Sequence, residues 1–180
     1  SELKKYNVGI CGGKTISFDG RKQGDHFRQI NMQVGLFDFT NLRKLSKNDR
    51  WHKFFYYEDR DESQSTKTVD GVTGGFMLID KTVINQIGYL DENFFMYLED
   101  MDYCKRARES GIKIIYVPTA NIRHYGGGSS KNKSRSNSGA WIASRRYYFK
   151  KHFNIGINIL VQPVFFIDSL LIQLKNSLNQ

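Results

Sequence analysis

Glu99, Asp100 and Asp102 place three carboxylates within four positions of "DENFFMYLEDMDYCKR". The aromatic and apolar stretch "FFMYL" runs directly into them. Carboxylates at the rim of an apolar wall lose hydration, which raises their pKa and makes them useful proton acceptors near neutral pH. The plainer reading is helix capping, since acidic side chains suit the first turn, where N–H groups lack partners. His124, at the end of a predicted strand and ahead of "GGG", is the second candidate. Its neutral imidazole suits a divalent metal, although a strand-end histidine also serves as an ordinary hydrogen-bonded residue. Gly74 and Gly75 in "VTGGFMLI" leave space for a ligand or for close strand-to-helix packing.

These residues need a scaffold, and the sequence implies one. "YNVGICGGKTISFDGRKQG" reads as a short buried strand, a glycine turn, a second strand and a further turn at Asp19-Gly20. From Asp25 to about Thr68 the hydrophobic period fades, and "YYEDRDESQSTK" reads as an exposed loop. Val69 to Ile79 is β-like, Asp80 is positioned to cap a helix over "KTVINQI", and Gly88 to end it. The next helix starts near Glu99 and stops at Gly111, with Asp100, Tyr103, Cys104 and Ala107 on one face. Two strands, "IKIIYVP" and "ANIRHY", precede the flexible "GGGSSKNKSRSNSG". "SGAWIASRRYYFKKHF" then predicts a basic helix capped at Ser138. Strands alternating with helices place the chain in the α/β class.

The tail, residues 155–180, is apolar but interrupted by Pro163 and Asp168, so it reads as an interfacial or packed helix rather than a clean membrane span. The division expected is therefore 1–154 for the main domain and 155–180 for the tail. With 39% hydrophobic and 14% aromatic residues in 180, the chain has enough apolar material for a core, which excludes general disorder. Its two cysteines, Cys11 and Cys104, form no C-x-x-C pair, consistent with a reducing, cytoplasmic setting. "SELKKYNVGICGG" lacks the apolar run of a signal peptide and reads as the start of a fragment. The net charge is +9, and residues 110–167 hold nine Lys and Arg without one Asp or Glu. Such a surface attracts phosphate on a nucleotide, a nucleic acid or a membrane.

Taken in order, "VDGVTGGFMLIDKTVINQIGYLDENFFMYLEDMDYCKRARESGIKIIYVPTANIRHYGGGSS" resembles the C-terminal, acceptor-side half of a family 2 glycosyltransferase with the GT-A fold. The likeness is strongest to the bacterial rhamnosyltransferase-like group and is echoed at "VGICGGKTI" and "RRYYFKKHF". It implies a partial GT-A domain with a mixed sheet, followed by the helical tail. It further implies that Asp100 is the general base on an acceptor hydroxyl, with Glu99, Gly74, Gly75, Asp91 and Glu92 at the acceptor. His124 matches the family's metal ligand for Mn or Mg, and Ser129 and Ser130 would reach the donor diphosphate. The partners implied are a nucleotide-sugar donor and a glycan or lipid-linked acceptor in surface polysaccharide synthesis. Peripheral contact with the inner face of the plasma membrane and self-association through the tail are further expectations; nucleic acid is not an expected partner.

The family's Asp-x-Asp metal motif has no counterpart here, since Asp59-x-Asp61 in "DRDES" reads as solvated loop charge. The expectation is a chain without the donor-binding half. Three other readings stay open. A nucleic-acid module would use the basic 131–151 segment with Trp141, Tyr147, Tyr148 and Phe149 as stacking groups. A metal hydrolase would use Asp100, Asp102 and His124. A non-catalytic glycan-binding remnant would keep the pocket without the chemistry.

Overall fold

The structure is a computed structural model and describes residues 2–21, 23–58, 65–124 and 134–178. The mixed α/β class, the mixed sheet and the C-terminal helix expected from the sequence are present. The chain divides into two compact units.

The first unit comprises residues 1–29, 54–91 and 99–128. After a short helix α1 (Glu2–Tyr6), strand β1 (Ile10–Ile16) runs at the centre of a four-stranded sheet. Two-residue strands follow at β2 (His26–Phe27), β3 (Lys67–Thr68) and β4 (Gly71–Val72), then β5 (Met77–Ile79) and, much later, β6 (Ile114–Arg123). The order is β3-β6-β1-β5, with β1 parallel to β6 and antiparallel to β5, while β2 pairs with β4 in a separate ribbon. Ile10, Ile114, Tyr116 and Val117 are buried along the central pair.

Two expectations are corrected here. Gly12 and Gly13 form no turn but lie inside β1, because side chains there would run into Val72, Phe76 and the Ala120 carbonyl. The two strands expected around Pro118 are a single strand, β6. The register jumps from Gly13↔Val117 to Lys14↔Asn121, so Pro118, which has no N–H, sits in a bulge where no ladder bond is required of it.

Helix α4 (Lys81–Ile87) follows the sequence closely: the Asp80 carboxylate accepts from the Thr82 amide at 2.9 Å, and Gly88 ends the helix at φ 77°. Helix α5 (Glu99–Glu109) buries Met101, Asp102, Tyr103, Cys104 and Ala107. Burial pushes the Cys104 thiol up to about 12, so it behaves as a small apolar residue rather than a nucleophile.

The second unit comprises residues 30–53, 92–98 and 129–180. Structure is present where the hydrophobic period faded. Helix α2 (Met32–Phe37) is capped by Asn31, turns follow at Asn41–Leu45 and Lys47–Asp49, and α3 (Arg50–Phe55) begins in this unit. Helices α6 (Ser134–His152) and α7 (Ile155–Leu178) complete it. α6 starts four residues earlier than the cap expected at Ser138. α7 is a single helix that carries Pro163 inside it.

A buried ion pair ties this unit together. Arg145 donates to Asp168 at 2.5 Å, to the carbonyls of Phe39 and Phe165 and to the Ser169 hydroxyl; Asp168 also accepts two bonds from Asn41, each at 2.8 Å. Arg145 is therefore a core residue, not part of the cationic surface inferred from composition. Tyr148 and Phe149 are buried, Trp141 packs edge-on against Phe39, and Tyr147 against Phe94. Tyr148 and Phe149 therefore belong to the core and are not available to stack on bases, while Trp141 and Tyr147 are half-buried.

Candidate active site

The N-terminus of α5 meets the turn after β4 through a short hydrogen bond. The Gly74 amide donates to Asp100 Oδ2 at 2.8 Å, and the Met101 amide donates to Asp100 Oδ1, also at 2.8 Å. Asp100 thus caps its own helix while gripping the Thr73–Phe76 turn, so the capping and functional readings describe the same side chain. Its carboxyl is pushed up to about 6, mainly by burial and further by the neighbouring Glu99 charge, with the two amides offsetting part of the rise. Glu99 Oε2 is buried and has no hydrogen-bond donor among the described residues. A buried acceptor without a donor is costly, and a ligand hydroxyl is the kind of group that would relieve it.

Gly74 and Gly75 lie between Asp100 and His124, a floor without side chains. A Cβ on Gly74 would stand 3.7 Å from the Asp100 side chain, and one on Gly75 would stand 3.4 Å from the His124 ring. The fold therefore gathers Gly74, Gly75, Asp100 and His124 from three separated segments, with Glu99 next to Asp100. Asp91 is half-buried at the end of the loop after Gly88. Glu92 is exposed and belongs to the second unit. Ser129, Ser130 and the Asp59-x-Asp61 pair lie outside the described residues.

Asp102 does not belong to this group. It is fully buried and accepts from Arg106 Nε at 2.9 Å, while the Arg106 guanidinium also donates to the carbonyls of Ile87 and Tyr89. That arrangement anchors the end of α4 to α5 and withdraws Asp102 from the ligand set a hydrolase would have used.

Beneath the turn lies a buried network that sequence reasoning missed. Asp25 accepts from the Thr15 amide and the Tyr116 hydroxyl, bonds His26 Nδ1 at 2.6 Å, and through its carbonyl accepts from the Thr73 amide. His26 stacks on Tyr116 with ring centroids 4.0 Å apart. The adjacent Asp-His dipeptide in "GDHF" was the available signal, lost in a stretch without hydrophobic period.

His124 fits a metal-donating role. Its Nδ1 meets Gln23 Oε1 at 2.8 Å, and no hydrogen bond engages Nε2 among the described residues. Both Asp100 oxygens already accept amides, and no group of three or more His, Cys, Asp or Glu able to hold a metal occurs among the described residues. The described residues thus supply one donor to such an ion rather than a full shell.

The chain belongs to the glycosyltransferase-like family 2, whose model matches residues 30–144. Among curated proteins it is 45% identical over 63 residues to the low-salt glycan biosynthesis hexosyltransferase Agl10 of Haloferax volcanii, covering 35% of this chain and 20% of that protein. It is 34% identical over 70 residues to the N-acetylglucosaminyl-diphospho-decaprenol L-rhamnosyltransferase of Mycobacterium tuberculosis, covering 39% and 22% respectively. Rhamnosyltransferase WbbL of Escherichia coli is 36% identical over 61 residues, 34% of this chain and 23% of that protein. The matched segments thus span between a fifth and a quarter of these relatives' lengths. No solved structure matches.

Proposed function

We propose that this chain carries the acceptor side of an inverting glycosyltransferase, with Asp100 as general base. The observation that carries the reading is the Asp100 carboxylate, desolvated at the start of α5 and pushed up to about 6, beside a Glu99 oxygen without a donor. Glu99 would orient an acceptor hydroxyl over the Gly74-Gly75 floor, with Asp91 and Glu92 contributing further along the acceptor. Asp100 would take the proton as that oxygen attacks the anomeric carbon of a nucleotide sugar, and the diphosphate leaves with the bonding electrons. His124 would be one ligand to Mn or Mg, which supplies charge stabilisation to the departing diphosphate. Ser129 and Ser130 are proposed near that diphosphate. The donor-binding half is proposed to lie outside this chain, and calorimetric titration with nucleotide sugars tests that assignment.

The sugar is proposed to be a hexose, rhamnose being supported by the names of two relatives. A lipid-linked acceptor is supported by the decaprenol-linked substrate named in one of them. Residues 1–154 are proposed to carry the transferase chemistry and residues 155–180 to meet the inner, cytoplasmic face of the membrane. α7 supports this: by length and composition it is long and apolar enough to cross a bilayer, yet one face, Val161, Phe165, Asp168 and Ser169, is buried within its own unit. The exposed Ile155, Ile159, Leu160, Phe166, Ile167, Leu170, Leu171 and Leu174 fall within about 160° of arc on the other side. That geometry favours a helix lying in the interface.

The test is acceptor-dependent release of nucleoside diphosphate by the protein carrying its donor-binding half, with and without Asp100→Asn. Transfer should fall to background while donor affinity and fold persist. Undiminished turnover in Asp100→Asn would remove Asp100 as the base.

A further inference from the structure

The structure assigns a positioning role to Gln23, which selects the tautomer of His124 that carries its proton on Nδ1 and its lone pair on Nε2. This rests on the reading of His124 as a metal ligand only for its consequence, not for the tautomer itself. Gln23 and His124 are separated by 101 residues in the chain and meet at the end of the parallel β1–β6 pair. The Gln23 amide donates to the Thr15 carbonyl at 3.1 Å, and the His124 amide donates to the Ile16 carbonyl at 2.9 Å, so both backbones are fixed by the same strand.

Their side chains then fit in one sense. Gln23 Oε1 lies 2.8 Å from His124 Nδ1, and Gln23 Nε2 lies 3.4 Å from the His124 carbonyl oxygen. Flipping the amide would set its carbonyl against a carbonyl and lose that second bond. With Oε1, which only accepts, facing Nδ1, the ring proton must reside on Nδ1. Gly75 lies beside the ring, where an added Cβ would stand 3.4 Å from both Nδ1 and Cε1. An unrestrained neutral imidazole populates both tautomers; here the hydrogen bond selects the one able to donate electrons from Nε2.

The decisive readout is the pair of ring ¹⁵N chemical shifts of His124 in the metal-free protein, at a pH where the ring is neutral. Wild type should show a protonated, pyrrole-type Nδ1 and an unprotonated, pyridine-type Nε2. Gln23→Leu should shift the ring toward the opposite tautomer, whereas Gln23→Glu, which still accepts from Nδ1, should preserve the original one. In the protein carrying its donor-binding half, affinity for Mn²⁺ by calorimetry should drop about 10- to 100-fold in Gln23→Leu and be largely kept in Gln23→Glu. A wild-type ring protonated on Nε2, or a Gln23→Leu ring unchanged from wild type, would overturn the assignment. The expected tautomer change with Mn²⁺ affinity unaffected by either Gln23→Leu or His124→Ala would uphold the positioning of the ring and overturn the metal reading instead.

Discussion

Replacing Asp100 by Asn should make the protein more stable relative to wild type as the pH rises, the reverse of what loss of an ordinary surface carboxylate does. The native carboxyl titrates near 6 and its ordinary value is 3.8, so between those values the folded state binds more protons than the unfolded one. Wild-type stability must therefore fall as pH climbs through that window, and the loss is complete above it. Moving a carboxyl that far corresponds to about 3 kcal/mol, and residual solvent access reduces the expected cost to about 2 kcal/mol. The asparagine side chain of the variant escapes this cost because it does not ionise. It incurs a separate, pH-independent penalty of about 1 kcal/mol, because its NH₂ must face the amide of either Gly74 or Met101. The difference between variant and wild type should therefore shift by about 2 kcal/mol in favour of Asn between pH 4 and pH 7.5. Urea denaturation of both proteins at four pH values in that range measures it. A difference that stays constant with pH, or moves the other way, would refute the placement of a desolvated carboxylate at the start of α5.

Asp168→Ala should leave the Arg145 guanidinium buried without its counter-ion and cost about 3–5 kcal/mol. Both tryptophans, Trp51 and Trp141, lie in the same unit, so fluorescence-monitored denaturation reports the loss directly; a change below about 1 kcal/mol would contradict the clamp. Ile159→Ser with Ile167→Ser, both on the exposed face of α7, should weaken co-sedimentation with anionic phospholipid vesicles by about tenfold or more without altering the fold. Equal sedimentation of both proteins, or a mass in solution that shows α7 pairing chains instead, would count against the lipid assignment.

The parts of the fold legible in sequence are those governed by local chemistry. Asp80 and Gly88 bound α4 because a cap and a left-handed terminus are properties of single residues, and the carboxylates mark α5 for the same reason. What escaped depends on partners distant in sequence. Gly12 and Gly13 look like a turn until Val72 and Phe76 pack against them, and Pro118 looks like a break until the bulge in its pairing with β1 accommodates it. Asp102 resembles Asp100 in sequence, yet Arg106 turns it into an anchor. Tyr97 and Leu98 adopt left-handed backbone immediately before α5, with φ 71° and 66°, which no glycine announces. Backbone held there costs about 1–3 kcal/mol per residue. His124 stood out in the sequence as a candidate, whereas Gln23, 101 residues away, had no local pattern to mark it.

The most direct test of the central claim is a site-resolved titration of the Asp100 carboxyl by ¹³C NMR, in wild type and in Glu99→Gln. The midpoint should lie near 6 in wild type and be displaced downward when the Glu99 charge is removed, because that charge and burial together raise it. A wild-type midpoint at or below 3.8, indifferent to Glu99, would mean that Asp100 is a solvated cap and not a proton acceptor.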